Sequence, residues 1–388
     1  MHVLIIPTGI YPMPRFPLNS VFEQHQVEAL RGAGVQVGVL SGGVITTRYL
    51  GRRIPYLEHD LVNGVPVYRA HRRVYLPARL GSRLTRAERT YGGLKPLLEE
   101  YVRAHGRPDI VHAHNLTAGG LVACLIADDF GVPYVVTEHT STYASDIGAV
   151  RRDLSILTRA AAHASTIIAV GSQLADNLRG SLGGELSERV VVVPNVVDPA
   201  FLAKPLAKST SRPYTVAGIG SLIPRKNYEL LLRAFAGAAL PADARLVIGG
   251  DGPRLGRLRA LAEDIGLSER VDFLGRLSRQ DVVRLLQQSH LFAHPSDSES
   301  FGVVLIEAMA FGVPVLATAS GGPQDIVTPD VGLLTAVGDV DEFADSLSEL
   351  FRRRWDFDAR QVRESCRIRF GAETFAARMA EIYRRAMA

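Results

Sequence analysis

Two glutamates in one short stretch have a type and a spacing that suggest chemistry. Glu299 stands in a polar run that ends at Gly302, and Glu307 stands eight positions later in an apolar run typical of a helix. If both were helical they would lie about 12 Å apart, whereas two carboxylates acting on one glycosidic bond lie roughly 5 to 9.5 Å apart. The spacing favours an extended ligand held at both ends, with an anionic group at the helix N-terminus. The other interpretation is a capped core helix with two surface glutamates.

A second group of residues points to anion binding. A predicted strand ends at Gly220 and is followed by two adjacent cations, Arg225 and Lys226, and by Asn227, which is suited to cap the next helix. Fixed positive charge beside the free N–H groups of a helix start forms a diphosphate site in physical terms. Gly249-Gly250-Asp251-Gly252-Pro253 is another glycine-rich turn between a strand and a helix. A plain tight turn is its other interpretation.

Apolar strand-like runs alternate with helical patterns along the chain, which predicts parallel sheets covered by helices. One such series fills the first half of the chain, and a second fills the rest. The stretch Val197–Pro213 between them is rich in Pro, Lys, Ser and Thr and is the predicted linker. We therefore expect an α/β protein with two Rossmann-like, doubly wound domains, residues 1–200 and 201–370, that face a central cleft. A C-terminal helix is expected in residues 371–388.

The chain has the length and composition of a globular protein with two domains, with 388 residues, of which 47% are hydrophobic and 22% charged. Its two cysteines, Cys124 and Cys366, are too few for a disulfide framework or a thiolate metal site, so a reducing, cytoplasmic location is expected. The chain starts with a strand-like run rather than a leader sequence. No apolar run approaches the length of a membrane span, about 18 residues.

The net charge of +4 is unevenly distributed. Residues 48–95 are largely irregular in pattern and contain eleven Lys or Arg residues against three acids. Such a segment is typical of contact with anionic lipid head groups or an anionic acceptor, and also of a solvated surface. Peripheral contact with the inner face of an anionic membrane is therefore one expectation for this segment. Few aromatic residues are interleaved with these charges, so nucleic acid is not an expected partner.

Four motifs follow one another in order: Lys226-Asn227, Gly249-x-Asp251-Gly252-Pro253, Phe273-Leu274-Gly275, and Glu299-(seven residues)-Glu307. Together they resemble glycosyltransferase family 4, a group of retaining enzymes of the GT-B fold that use nucleotide sugars. The resemblance covers nearly the whole chain and is densest from Val216 to Val327. It implies a GT-B architecture in which the last helix crosses back onto the first domain.

The resemblance implies a role for each matching residue on the donor side. Lys226 corresponds to the family's diphosphate-binding lysine, and Glu299 and Glu307 correspond to the glutamates that contact the transferred sugar and the ribose. The family usually has an arginine at the position of Ser221, and Arg225 is the candidate that replaces it. The remaining donor-binding candidates are Gly220, Gly250, Arg276, Leu277, Ser300, Phe301 and Gly302.

In the amino-terminal half, His139 resembles the histidine that reaches the transferred sugar. The candidate catalytic residues are His139, Glu299, Lys226 and Arg225. The acceptor-side candidates are Asn19, Ser20, His114, Glu138 and Asp146. Many family members have a glycine pair in the first loop, where this chain has Phe16-Pro17-Leu18-Asn19-Ser20, so a phosphate would approach that backbone less freely.

The implied function is retaining transfer of a hexosyl unit from a UDP- or GDP-linked sugar to a hydroxyl acceptor, expected to be a lipid-linked or cell-envelope polysaccharide intermediate. Cations and helix N-termini would offset the charge of the departing diphosphate, so neither a metal nor a cofactor is expected. The alternatives are a soluble small-molecule acceptor and a catalytically inactive nucleotide-sugar-binding protein. A dinucleotide-dependent dehydrogenase is disfavoured because Gly218-Ile219-Gly220-Ser221-Leu222-Ile223 lacks the third glycine of G-x-G-x-x-G.

Overall fold

The structure, a computed structural model, describes residues 1–9, 11, 21–45, 57–73, 83–207 and 213–388. These residues form two compact units. The first unit comprises Met1–Val196 together with Ala372–Ala388, and the second comprises Val197–Gly371. Each unit has a hydrophobic core of its own, as separate domains do.

The described residues of the first unit form a sheet of eight strands: β1 (His2–Ile6), β2 (Gln36–Ile45), β3 (Leu57–Val62), β4 (Val65–Arg73), β5 (Ile110–His114), β6 (Tyr134–Glu138), β7 (Thr166–Ala169) and β8 (Val190–Val192). Their order is β3-β4-β2-β1-β5-β6-β7-β8. All neighbouring strands are parallel except β3 and β4, which form an antiparallel hairpin with Asn63 and Gly64 at positive φ. β1 is buried along its whole length, which explains its apolar sequence.

The described connections of this unit contain the helices α1 (Val21–Gly32), α2 (Arg83–His105), α3 (Leu121–Phe130), α4 (Ser141–Ser145), α5 (Ile147–Ala161), α6 (Ser172–Leu182) and α7 (Gly184–Glu188). The long helix α2 buries Ala87, Tyr91, Leu94 and Leu98, a stripe with helical spacing. Residues 48–95 are therefore more ordered than their pattern suggested, since β3, β4 and the first half of α2 lie there. No helix in the described part of the chain is long and apolar enough to span a membrane.

The second unit contains a parallel sheet with the strands β9 (Thr215–Ile219), β10 (Arg245–Gly249), β11 (Val271–Gly275), β12 (Leu291–His294), β13 (Val315–Thr318) and β14 (Gly332–Thr335). Their order is β11-β10-β9-β12-β13-β14. Counted within the unit this is 3-2-1-4-5-6, the order of a Rossmann sheet. The order reverses between β9 and β12, and open α/β sheets bind their ligands beyond the carboxyl ends of the strands at such a switch point.

The helices of the second unit are α8 (Pro199–Leu202), α9 (Tyr228–Gly237), α10 (Leu255–Asp264), α11 (Arg279–Gln288), α12 (Val303–Ala310), α13 (Pro323–Ile326), α14 (Val340–Arg352) and α15 (Ala359–Phe370). α8 begins inside the predicted linker because the side chain of Asp198 caps its first turn. α12 is held by α15 at two points: Arg363 Nε donates to Ala310 O at 2.6 Å, and Cys366 Sγ lies 3.2 Å from Ile306 O.

The last helix, α16 (Ala372–Met387), belongs to the first unit. It packs beside α1, and its side chains Phe375, Met379 and Tyr383 join the core of that unit. The structure thus confirms the α/β fold class, with two Rossmann-like sheets and a last helix that returns to the first unit.

Candidate functional site

The switch point of the second unit brings together a cation and a glutamate that the sequence predicted for the donor side. A 3-10 turn, Pro224–Lys226, follows β9, and Asn227 at φ 44° caps α9 by accepting the N–H of Leu230. Lys226 Nζ forms an ion pair with the carboxylate of Glu299, which follows β12. The two side chains are only 15% and 11% exposed, so solvent screens their attraction weakly.

Glu299 has a second partner that the sequence did not single out. His294 Nε2, at the end of β12, lies 3.2 Å from Glu299 Oε2, the oxygen that Lys226 also contacts. Burial alone would raise the pKa of Glu299, but the hydrogen bond from His294 and the charge of Lys226 hold it well below its usual range. Glu299 is therefore a carboxylate, with one oxygen fixed by two side chains.

Further hydrogen bonds join the loop after β9 to the loop after β12. Arg225 O accepts the N–H of Asp297 at 2.9 Å, and Arg225 Nη1 lies 3.4 Å from Ser298 O. Asn227 Nδ2 donates to Asp297 Oδ1 at 2.7 Å. These bonds hold the Arg225 guanidinium at the loop that precedes α12, on the same side of the sheet as Lys226.

The backbone beneath these side chains is closely packed. Gly250 has φ 144°, and a Cβ there would lie 1.8 Å from Gly220 O, so no other residue fits without a shift of the chain. Gly220 N also donates to Gly249 O at 2.9 Å. Ser221, where the family usually has an arginine, is exposed. The two predicted glycine turns are thus neighbours, and Ser221 stands at their surface.

Residues 300–302 lead into α12. Gly302 is its N-cap residue with φ 101°, in the region that favours glycine. The backbone of Phe301 lies so close to Gly322 that a Cβ on Gly322 would be 2.2 Å from Phe301 Cα. Glu299 O accepts the N–H of Gly322 at 2.9 Å, so Glu299 lies before the helix, in a bridge to the loop after β13.

Glu307 lies inside α12 and is partly exposed. Burial raises the pKa of Glu307 to about 7, and the Arg279 guanidinium opposes this rise. In the part of the chain that the structure describes, the Glu307 carboxylate has no hydrogen-bond partner, so it is free to accept from a ligand. Arg276 and Leu277 follow β11, and the Leu277 side chain packs against Gly249. The structure thus gives these three donor-side candidates no contact with the Lys226–Glu299 pair.

The first unit has a histidine cluster at the carboxyl ends of β5 and β6. His114 Nδ1 lies 2.9 Å from His139 Nε2, and the two rings stack with centroids 5.2 Å apart. His112 bonds to Tyr383 and to Thr137, both at 2.7 Å. Burial lowers the pKa of His139 to about 3 and that of His114 well below its usual value, so both rings are neutral. His139 is partly exposed, whereas His114 is fully buried behind it.

Glu138 is fully buried, and its carboxylate binds backbone rather than solvent. It accepts the N–H groups of Leu116, His139 and Thr140 at distances between 2.8 and 3.0 Å. These bonds fix the turn that carries His139. The contacts of Glu138 are thus structural, and its role toward an acceptor stays a prediction.

The remaining acceptor-side candidates are dispersed. Asp146 lies at the surface in an ion pair with Arg152 at 2.9 Å. Asn19 and Ser20 lie outside the described residues. Across the described ranges, no group of three His, Cys, Asp or Glu side chains is arranged to hold a metal ion. The independence of the reaction from metals stays a prediction.

Two family models match the chain. The model described as "Glycosyl transferase 4-like domain" matches residues 21–196, and the model described as "Glycosyl transferases group 1" matches residues 204–366. The chain belongs to glycosyltransferase family 4. The predicted family is thereby confirmed, and the Lys226–Glu299 pair lies within the part matched by the second model.

Curated members of the family are similar to this chain over most of its length. A D-inositol 3-phosphate glycosyltransferase of Mycobacterium sp. (strain KMS) is 33% identical over 276 residues, which are 66% of this chain and 62% of the relative. A phosphatidylinositol N-acetylglucosaminyltransferase protein of Homo sapiens is 30% identical over 298 residues, 75% of this chain and 58% of the relative. The chain thus spans about three fifths of the length of these relatives.

Solved glycosyltransferase structures share the fold along nearly the entire chain. HepE of Anabaena, in complex with UDP, has a TM-score of 0.73 and 21% identity, with 98% of this chain and 99% of that chain covered. The sucrose-phosphate synthase of Thermosynechococcus elongatus has a TM-score of 0.75 and 21% identity, with 99% and 98% covered. The expected GT-B fold is confirmed by these likenesses.

Proposed function

We propose that the chain is a retaining glycosyltransferase that transfers a hexosyl unit from a UDP- or GDP-linked sugar to a hydroxyl group. The observation that carries the proposal is the Lys226–Glu299 pair at the switch point, immediately before the N-terminus of α12. In this proposal Glu299 binds hydroxyls of the sugar, Lys226 and Arg225 bind the diphosphate, and Glu307 binds the ribose. The titles of related structures support a nucleotide donor, since HepE is in complex with UDP and starch synthase IV is bound to ADP.

The proposed chemistry needs positive charge at the leaving group. As the bond from the sugar carbon to the phosphate oxygen breaks, negative charge grows on that oxygen, and Lys226, Arg225 and the amides before α12 offset it. The acceptor hydroxyl attacks on the face that the diphosphate leaves, and its proton passes to the departing phosphate oxygen. The neutral ring of His139 is the proposed partner of a sugar hydroxyl. Neither a metal nor a cofactor is part of this proposal.

For the acceptor we propose a lipid-linked or cell-envelope intermediate with a phosphorylated head group. The names of the two curated relatives support an inositol phosphate, free in one case and part of a lipid in the other. The basic residues of 48–95 suit such an anion and the inner, cytoplasmic face of a membrane. Co-sedimentation at low salt with vesicles that contain phosphatidylinositol, but not with phosphatidylcholine alone, is the expected result. Binding to neither would favour a soluble acceptor.

The donor is tested by thermal shift with a panel of UDP, GDP, ADP and dTDP sugars. A ligand at 100 times its dissociation constant stabilises the folded protein by about 2.7 kcal/mol, so the preferred donor stands out. Stabilisation by a donor without transfer to any acceptor and without hydrolysis would favour the inactive binding protein.

The site is tested by Lys226→Ala and Glu307→Ala. Each is expected to reduce turnover at least ~100-fold, the effect of losing one preorganised charge contact. Lys204→Ala and Glu263→Ala are matched controls, because both side chains are exposed in the same unit. Turnover close to the wild type in both site variants would refute the assignment of the donor site.

A further inference from the structure

His294 is a buried histidine whose role the proposed function leaves open. It ends β12, and its side chain is 1% exposed. Its Nε2 lies 3.2 Å from Glu299 Oε2, and Lys226 contacts that same oxygen. A histidine at the end of an apolar strand usually fills the core, but this ring lies against the carboxylate that is proposed to bind the sugar.

The surroundings of His294 determine which hydrogen it offers. Burial and the positive charges of Lys226 and Arg225 lower the pKa of His294, although the hydrogen bond to Glu299 acts in the opposite direction. The ring is therefore neutral at pH 7 and carries one N–H. Because ionised Glu299 can only accept, this hydrogen resides on Nε2 and is donated to Oε2.

The two donors divide the Glu299 carboxylate into a fixed and an available oxygen. Oε2 receives both His294 and Lys226, whereas Oε1 has no partner within the described residues. A flexible lysine at a diphosphate site is free to turn toward the phosphates. The imidazole of a packed, buried histidine is not, so it keeps the carboxylate in place after Lys226 has turned.

We propose that His294 is a positioning residue that orients Glu299 so that Oε1 faces a hydroxyl of the transferred sugar. The proposal rests on the donor site proposed above and assigns His294 to recognition of the sugar rather than of the nucleotide. A residue that merely fills the core would affect both equally.

The test compares His294→Gln with His294→Asn. The Gln side-chain nitrogen reaches the position of Nε2, whereas the Asn nitrogen corresponds to Nδ1 and falls short of Glu299. Calorimetry measures binding of UDP-glucose and UDP, or of GDP-mannose and GDP if the panel selects guanine. We expect the Asn variant to lose about tenfold in affinity for the sugar nucleotide while its affinity for the nucleoside diphosphate stays within twofold, and the Gln variant to recover most of that loss.

Three outcomes would count against the proposal or its basis. An equal loss for both ligands in His294→Asn, or no loss for either, overturns the positioning role. If Gln and Asn variants lose sugar-nucleotide affinity alike, the donated hydrogen is not the cause, and the role is overturned as well. A wild-type protein that binds neither nucleotide sugar refutes the proposed function itself, so the two failures are distinguishable.

Discussion

Replacing Glu307 by Gln should remove a pH dependence from donor binding. Burial raises the pKa of Glu307 to about 7, and only the ionised form accepts hydrogen bonds from both ribose hydroxyls. The ionised fraction is about nine tenths at pH 8 and about one tenth at pH 6, so affinity should fall about tenfold between them. A neutral Gln side chain does not titrate, and Glu307→Gln should bind weakly but equally at both values.

The assay is calorimetry with a nucleotide sugar at several pH values between 6 and 8. The sugar ester is preferable to the free nucleoside diphosphate, whose terminal phosphate itself titrates near pH 6, as phosphate monoesters do (about 6). His294 and His139 do not interfere because burial lowers the pKa of both rings. Wild-type affinity that is flat from pH 6 to pH 8 would refute the assignment of Glu307 to the ribose.

The same group predicts an opposite effect on stability. Between pH 4.5 and about 7 the folded protein retains the Glu307 proton that the unfolded chain has released, so stability falls as pH rises through this window. The full shift corresponds to about 3 kcal/mol, which partial exposure reduces to about 1 to 2 kcal/mol. Relative to wild type, Glu307→Gln should therefore gain that amount of unfolding free energy from pH 4.5 to pH 8. Parallel curves for the two proteins in urea denaturation would contradict the burial argument, and exposed Glu263→Gln is the control.

Two further predictions concern the cations of the second unit. Arg225→Ser should weaken nucleotide-sugar binding about tenfold, the effect of losing a charged contact, and adding Ser221→Arg to that variant should restore binding, as measured by calorimetry. No recovery would show that the two positions are not equivalent. Arg363→Met should lower the free energy of unfolding by about 1 to 2 kcal/mol in urea, because Ala310 O loses its donor. Exposed Arg360→Met on the same helix should have little effect.

The alternation of strands and helices was readable because buried parallel strands are continuous apolar runs. The pattern failed in residues 48–95, where arginines are interleaved with the apolar stripe of α2. Tyr91 and Leu98 are seven positions apart and both buried, a spacing that marks the helix only once its surroundings are known. Ordering of β3 depends on its pairing with β4, a contact between strands that a local pattern does not display.

The candidate site was only partly predictable. The motif spacing placed Glu299 before α12 and Glu307 within it, but it did not show that Lys226 pairs with Glu299 across 73 positions of the chain. His294 was missed because a histidine after Leu-Phe-Ala resembles core material. The available signal was a carboxylate five positions later, in the loop that leaves the same strand.

The charges around the Lys226–Glu299 pair explain why the start of α12 matters. Two cations, Lys226 and Arg225, lie beside two carboxylates, Glu299 and Asp297, so these side chains largely cancel one another. A diphosphate adds a negative charge on each phosphate, and its departure from the sugar adds another. The positive end of α12, equivalent to about half an elementary charge, must then balance part of that charge. Because Ser221 contributes no cation where the family usually has one, the proposed site can spare Arg225 less than its relatives could spare either arginine alone.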